Sequence, residues 1–257
     1  MSEITGGPGL RHVEHVMGTV FSFDIRDRPT AAIRHALTEA VRHLHRIDAM
    51  YSPYRPDSHI SRLGRGEIHL DDCPPEVREV LALCDRVTHD SDGYFSVTPA
   101  GALDPSGLVK GWATEAASRI LRAAGARHTC VNGGGDLQLG LEQGDLTPWR
   151  IGIAHPLRPG ELATVVTARH DLAVATSGMA ERGPHILDPH RGTPATAFAS
   201  LTVIGPRLTM TDAYATAAFA RGHGARDWLE AMDGYEGLAV LPDGRQWRTS
   251  GFSRYGS

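Results

Sequence analysis

The sequence predicts an α+β protein, antiparallel sheets flanked by helices, on three observations. The first half carries apolar residues at helical spacing, as in Ile33, Leu37, Val41, Leu44 and Ile47. Beyond residue 128 the apolar period falls to two, in short runs separated by Gly, Pro and Asp rather than by crossover helices. No repeat, low-complexity linker or composition break divides the 257 residues. A single domain over 1–257 is therefore expected, with residues 1–12 as a flexible N-terminal segment.

Residues 16–25 alternate, with Phe21, Phe23 and Ile25 on one side and Ser22 and Asp24 on the other, which is the period of a strand. Pro29-Thr30 then opens the first helix with a threonine cap. Residues 51–58, with two prolines and two tyrosines, form an ordered loop, and Pro74-Pro75 starts a second helix bearing Val77, Val80, Leu81, Cys84 and Val87. Asp92-Gly93 closes that helix. A third is expected from Gly107 to Ala124, stopped by Gly125. Six short strands follow, at about 128–131, 136–139, 149–153, 163–167, 173–175 and 201–204. Thr211 and Asp212 start a helix that Gly222 ends, and a helix near 226–232 and a strand at 238–241 complete the chain.

With 41% apolar and 22% charged residues, the chain is neither disordered nor fibrous. A formal charge of −4 and the lack of a Lys/Arg block argue against a nucleic-acid or anionic-membrane binder. No apolar run reaches a membrane span and no basic-then-apolar leader is evident, so a cytoplasmic location is expected. Cys73, Cys84 and Cys130 form no C-x-x-C pair, which points to buried or free thiols rather than a disulfide framework or zinc knuckle. The 26 basic residues comprise 25 Arg and a single Lys, Lys110. Where drift has replaced nearly every lysine, the survivor marks a position where arginine fails.

Four clusters carry candidate chemistry. In the first, Asp104-Pro105-Ser106-Gly107 feeds a helix whose early turns hold Lys110, and free N–H groups with a compact ammonium suit a phosphate. A simple Asp-Pro turn with a surface lysine would use the same residues. In the second, Asn132-Gly133-Gly134-Gly135-Asp136 allows close backbone approach to a ligand, and Asp136 is placed to orient a hydroxyl. A plain hairpin turn also uses Asn and Gly, and the spacing does not satisfy the dinucleotide-binding G-x-G-x-x-G pattern. In the third, Thr176 and Ser177 at a strand-to-turn junction precede His185-Ile186-Leu187-Asp188, supplying hydroxyls and a general acid or base. Ser177 lacks the G-x-S-x-G elbow of a nucleophilic serine. In the fourth, Asp212 and Thr216 lie one turn apart on a helix, a sparse set of hard oxygens suited to Mg²⁺. An Asp opposing the helix dipole over a buried Thr is the alternative. Together the clusters suggest a diphosphate, a hard cation and a lysine.

Their order along the chain resembles the FAD:protein FMN transferases, the ApbE family. The resemblance rests on Met17-Gly18-Thr19, Tyr51-Ser52-x-Tyr54 with Ser58-x-Ile60-Ser61, Lys110-Gly111-Trp112-Ala113, the Asn132 to Asp136 glycine run, Ala175-Thr176-Ser177-Gly178, His185-Ile186-Leu187-Asp188-Pro189 and Asp212-x-x-x-Thr216-Ala217, covering about residues 13–222. It implies an ApbE-like (T-fold-like) architecture and a Mg²⁺-dependent transferase that cleaves FAD, attaches FMN to a Ser or Thr of an acceptor flavoprotein and releases AMP. It also implies that Met17, Tyr54, Asp104, Lys110, His185 and Ile186, with Gly134, Asp136, Thr176 and Ser177, hold the nucleotide. The Gly107 carbonyl, Asp212 and Thr216 would bind the metal, and His185, Lys110 and Asp212 would carry the chemistry, His185 as base. An FAD pyrophosphatase and a flavin-binding protein without turnover are the competing readings. FAD and an acceptor protein bearing a Ser/Thr motif are the expected partners, nucleic acid and membrane are not, and a homodimer is compatible. Two departures stand out: Ser96 occupies the place of an acid in Gly93-Tyr94-Phe95-Ser96-Val97-Thr98, and the insertion normally preceding Asp104 is nearly absent.

Overall fold

The computed structural model describes residues 9–99, 101–142, 147–179, 183 and 186–256. The strands are β1 (Leu10–Val16), β2 (Thr19–Ile25), β3 (His128–Gly133), β4 (Asp136–Leu141), β5 (Trp149–Ala154), β6 (Leu162–Ala168), β7 (Leu172–Gly178), β8 (Leu187–Asp188), β9 (Thr193–Pro194), β10 (Ser200–Gly205), β11 (Glu236–Val240) and β12 (Gln246–Arg248). The helices are α1 (Ala31–Tyr51), α2 (His59–Gly64), α3 (Pro75–Asp90), α4 (Ser106–Ala123), α5 (Leu208–Arg221) and α6 (Ala225–Glu230). An antiparallel eight-stranded sheet runs β1-β2-β3-β4-β7-β10-β11-β12, while β5-β6 and β8-β9 are separate hairpins. This is the α+β class read from the sequence.

The sheet is covered on both faces, and strand alternation sorts its residues between them. Phe21, Phe23, Ile25 and Val131 join α1, α3 and α4 in one apolar cluster. Ala173, Ala175, Leu201 and Val203 pack against α5. On the opposite face Cys130, Leu139, Leu172, Val174, Ile204 and Leu238 meet Trp149, Ile153 and Val166 of the β5-β6 hairpin and Phe252 near the C-terminus. Double coverage explains why β10 is buried along its whole length. Each fully buried Phe, Leu or Ile contributes about 1.5–3 kcal/mol to this core. All three cysteines are buried in it without a disulfide, and burial pushes the Cys84 and Cys130 thiols up to about 12.

Three sequence expectations need correction. Residues 16–25 are not one strand: Met17 and Gly18 both adopt left-handed conformations, φ 55° and 66°, and form the turn between β1 and β2. Because β1 reaches back to Leu10, residues 10–12 belong to the sheet rather than to a loose terminal segment. The loop expected up to Ser58 is present, and it leads into a short helix, α2, capped by the Ser58 hydroxyl. Finally, α5 begins at Leu208, so Asp212 sits one turn inside the helix and is not its cap. That helix has no cap of its own. Its N-terminal N–H groups are satisfied from other elements, Leu208 by the Gln138 side chain at 2.8 Å and Thr209 by Glu115 at 3.1 Å. A cap supplied across the fold leaves no local sequence signal. Among the described residues no helix is long and apolar enough to cross a membrane.

The α1 face also carries a testable pH response. His43 lies against Trp112 with Nε2 buried and without a partner in the described structure, and burial, aided by Arg46 and Arg119, lowers its pKa to about 4. Between its unperturbed value near 6.5 and about 4, the unfolded chain binds a proton that the folded chain refuses. Stability should therefore fall as pH drops through that window. The full shift corresponds to about 3 kcal/mol, and partial exposure of the ring reduces the expected loss to about 1–2 kcal/mol. Urea unfolding of the parent and of His43→Gln between pH 7 and 4 measures it; identical pH slopes in the two proteins would remove the assignment.

Candidate active site

Helices α4 and α5 cross where Gly111 faces Asp212. A Cβ on Gly111 would lie 2.7 Å from the Leu208 carbonyl oxygen and 2.8 Å from Asp212 Cβ. Glycine inside a helix costs roughly 1 kcal/mol relative to alanine, and here it permits contact no side chain would allow. The crossing brings Lys110, beside that glycine, to the carboxylate one turn into α5. Lys110 Nζ donates to Asp212 Oδ2 at 2.9 Å and also to Asp136 Oδ2 at the start of β4. Asp136 is fixed in turn by the Thr176 N–H, which donates to its Oδ1 at 2.7 Å. The Thr176 hydroxyl is hydrogen-bonded to that of Thr202 at 2.8 Å. One ammonium thus ties α4, α5, β4 and β7 together at the seam where β4 meets β7.

The electrostatics of the trio are unbalanced. With all groups ionised, two carboxylates share one ammonium, and both acids are buried, at 4% and 5% exposure. Burial raises the Asp212 pKa to about 6 against the pull of Lys110, with Asp136 adding to the rise. For Lys110 burial disfavours the charge, but the two carboxylates outweigh it and raise its pKa, so the ammonium is permanent. The site lacks positive charge.

Around the trio lies a cavity of about 910 Å³. Met17, Tyr54, Asp104, Gly107, Lys110, Gly134, Asp136, Thr176, Ser177, Ile186, Asp212 and Thr216 all line it, so every described residue that the resemblance assigns to the nucleotide or the metal borders one space. His185 lies outside the described residues. Asp104 accepts the Ser106 N–H at 3.0 Å and so fixes the turn that leads into α4. Tyr54 is 94% exposed at the rim. Met17 enters from the β1-β2 turn in its left-handed conformation, which costs an L-residue roughly 1–2 kcal/mol. The sequence did not mark Asp48, Tyr94 or residues 151–154 of β5, which complete the wall. No motif announces them, because β5 reaches the cavity only through hairpin packing.

The donor chemistry fits a hard cation. Among the described lining residues Lys110 is the one basic side chain, against four carboxylates, those of Asp48, Asp104, Asp136 and Asp212. No described group of three or more His, Cys, Asp or Glu forms a ready metal cage. Thr216 lies against the first turn of α4, its Cγ2 3.7 Å from where a Cβ on Gly107 would be. Carboxylate, hydroxyl and backbone carbonyl make an all-oxygen set that suits Mg²⁺ retaining waters or substrate oxygens.

Fold and site together define an α+β protein with an acidic cavity whose oxygen donors suit a hard cation. The chain belongs to the ApbE family, whose family model matches residues 17–103 and 98–239. It is 31% identical over 205 residues to an FAD:protein FMN transferase of Treponema pallidum, covering 69% of this chain and 57% of that protein. It is 34% identical over 192 residues to one of Rhodobacter capsulatus, covering 67% and 36%. The chain thus matches about half the length, or less, of these curated relatives. Among solved structures, the ApbE protein of Thermotoga maritima superposes with a TM-score of 0.84 at 21% identity, covering 97% of this chain and 99% of that one. The flavin transferase ApbE of Vibrio cholerae does so at 0.81 and 21%, covering 96% and 100%. These likenesses extend the fold over nearly the whole chain.

Proposed function

We propose that this chain is a Mg²⁺-dependent FAD:protein FMN transferase that moves the FMN half of FAD to a Ser or Thr hydroxyl of an acceptor protein. The observation that carries the proposal is the lone lysine held between two buried carboxylates at the floor of the cavity lined by the family's motif residues. The relatives' names supply the reaction.

In this reading Asp212, Thr216 and the Gly107 carbonyl would hold Mg²⁺, which would supply charge neutralisation for the diphosphate. Lys110 supplies the fixed positive charge beside the phosphates, and Asp136, anchored by the Thr176 N–H, keeps its ammonium in place. Tyr54, Met17, Ser177 and Ile186 border the remaining space and hold the nucleotide's organic parts. The acceptor oxygen attacks the phosphorus of the FMN half, forming one P–O bond as the bond to AMP breaks. The leaving AMP carries away the electron pair, and the hydroxyl proton passes to a base, the role assigned to His185. Positioning and charge neutralisation are what such phosphoryl chemistry requires of a protein.

Incubation with FAD, Mg²⁺ and an acceptor carrying a Ser/Thr flavinylation motif should raise the acceptor's mass by that of FMN less one water and release one equivalent of AMP. EDTA should abolish both and excess Mg²⁺ restore them. AMP release without acceptor labelling would replace transfer by FAD hydrolysis, and tight FAD binding with neither product would leave a flavin-binding protein.

A further inference from the structure

Outside the charged trio, the cavity wall contains an aromatic stack with no place in the chemistry above. Tyr94 lines the cavity, as do Ile186, Leu187 and Pro189. The His190 ring meets the Tyr94 ring edge-on, with centroids 4.5 Å apart and an interplanar angle of 71°. The Arg221 guanidinium lies 4.8 Å from the Tyr94 centroid and pairs with Asp92. His190 Nε2 is 3.0 Å from the Asp92 carbonyl oxygen. A carbonyl only accepts, so the imidazole carries its proton on Nε2. Three distant segments meet here: the turn after α3, the β8-β9 hairpin and the end of α5.

The receiving turn is tied back to α3. Asp92 and Gly93 are both left-handed, φ 52° and 80°, and Gly93 N–H bonds back to the Thr88 carbonyl at 2.8 Å. The left-handed φ is what calls for glycine at 93, and a Cβ there would meet His190 Cε1 at an ordinary contact distance of 3.4 Å. The hairpin it receives is short, two residues per strand and separate from the main sheet. Within it Asp188 accepts the His190 N–H at 2.9 Å, which fixes the imidazole relative to Leu187 and Pro189.

We propose that His190 is a positioning residue: by bonding the Asp92 carbonyl and packing on Tyr94, it clamps the β8-β9 hairpin to the helical layer and holds the Ile186–Pro189 wall against the bound nucleotide. The proposal deepens the FAD reading and rests on it for the ligand. It concerns cavity shape, so the effect belongs in affinity and not in the chemical step.

His190 is exposed, which makes substitution safe for folding. Loss of one hydrogen bond and one aromatic contact in His190→Ala should weaken FAD binding by about three- to tenfold. Flavin fluorescence titration in Mg²⁺ reads that affinity, and kcat at saturating FAD should stay within about twofold of the parent. His190→Gln, which keeps a donor, should recover most of the affinity, and His190→Leu should not. Hydrogen exchange of the parent and His190→Ala without ligand should show faster exchange at 186–192 in the variant, with the rest of the sheet unchanged. Unaltered FAD affinity with unaltered exchange overturns the clamp, as does a loss confined to kcat. If the parent binds no FAD, the flavin reading fails, while the exchange comparison still decides whether His190 clamps the hairpin.

Discussion

Asp212→Ala is expected to lower Mg²⁺-dependent FMN transfer on the order of 10³-fold while leaving the protein folded. The loss follows from removing the one carboxylate in the oxygen set assigned to the cation. The tolerance follows from the electrostatics of the apo site. Burial raises Asp212 to about 6, well above an ordinary aspartate, which means that at neutral pH its ionised form is less favourable in the folded state than in the unfolded one. Deleting it leaves Lys110 paired with Asp136 alone, a balanced pair in place of two acids sharing one base. The small cavity left by the missing carboxylate offsets part of that relief. The melting temperature should thus stay within a few degrees of the parent. In-gel flavin fluorescence of the acceptor reads transfer, and a Mg²⁺ titration followed by thermal shift reads the cation directly. Near-parental activity in this variant would remove Asp212 from the metal site.

Lys110→Arg should reduce kcat/KM for FAD by roughly 10²-fold although it conserves charge. The ammonium occupies a point reached by both Asp136 and Asp212, beside a glycine whose own Cβ would already clash with α5. A planar guanidinium donates through a wider fork and cannot place its charge at that point without moving a carboxylate or the helix crossing. Lys110→Met separates charge from shape. It leaves two buried acids uncompensated and should cost about 3–5 kcal/mol of stability at neutral pH, a loss Lys110→Arg should largely avoid. Steady-state kinetics on FAD with urea unfolding of the three proteins distinguishes the cases. Full activity in Lys110→Arg would show that any cation suffices and that the isolation of Lys110 in an arginine-rich chain is accidental.

The helical period of α1, α3 and α4 was legible because a helix that packs on a sheet must repeat its apolar face every three to four residues. The strands after residue 128 showed their alternation and their turns for the same local reason. Two errors came from turns and caps. Met17 lacks the usual marker of a left-handed turn residue, so the β1-β2 hairpin read as one strand. The start of α5 was misplaced because its capping groups, Gln138 and Glu115, are 70 and 94 residues away in sequence.

The sequence by itself carried the family in its motif order and the α+β class in its apolar periods, and composition alone singled out Lys110. Only the tertiary structure decided that Lys110 stands between Asp136 and Asp212, 26 and 102 residues away, and that a crossing at Gly111 brings them together. It alone placed β5 in the wall and seated His190 on Tyr94. The physical reason is range. Backbone dihedrals and apolar periodicity act over a few residues and leave a pattern in the chain, whereas a buried charge cluster is set by which surfaces pack together. Each of its members, taken singly along the sequence, is one ordinary polar residue.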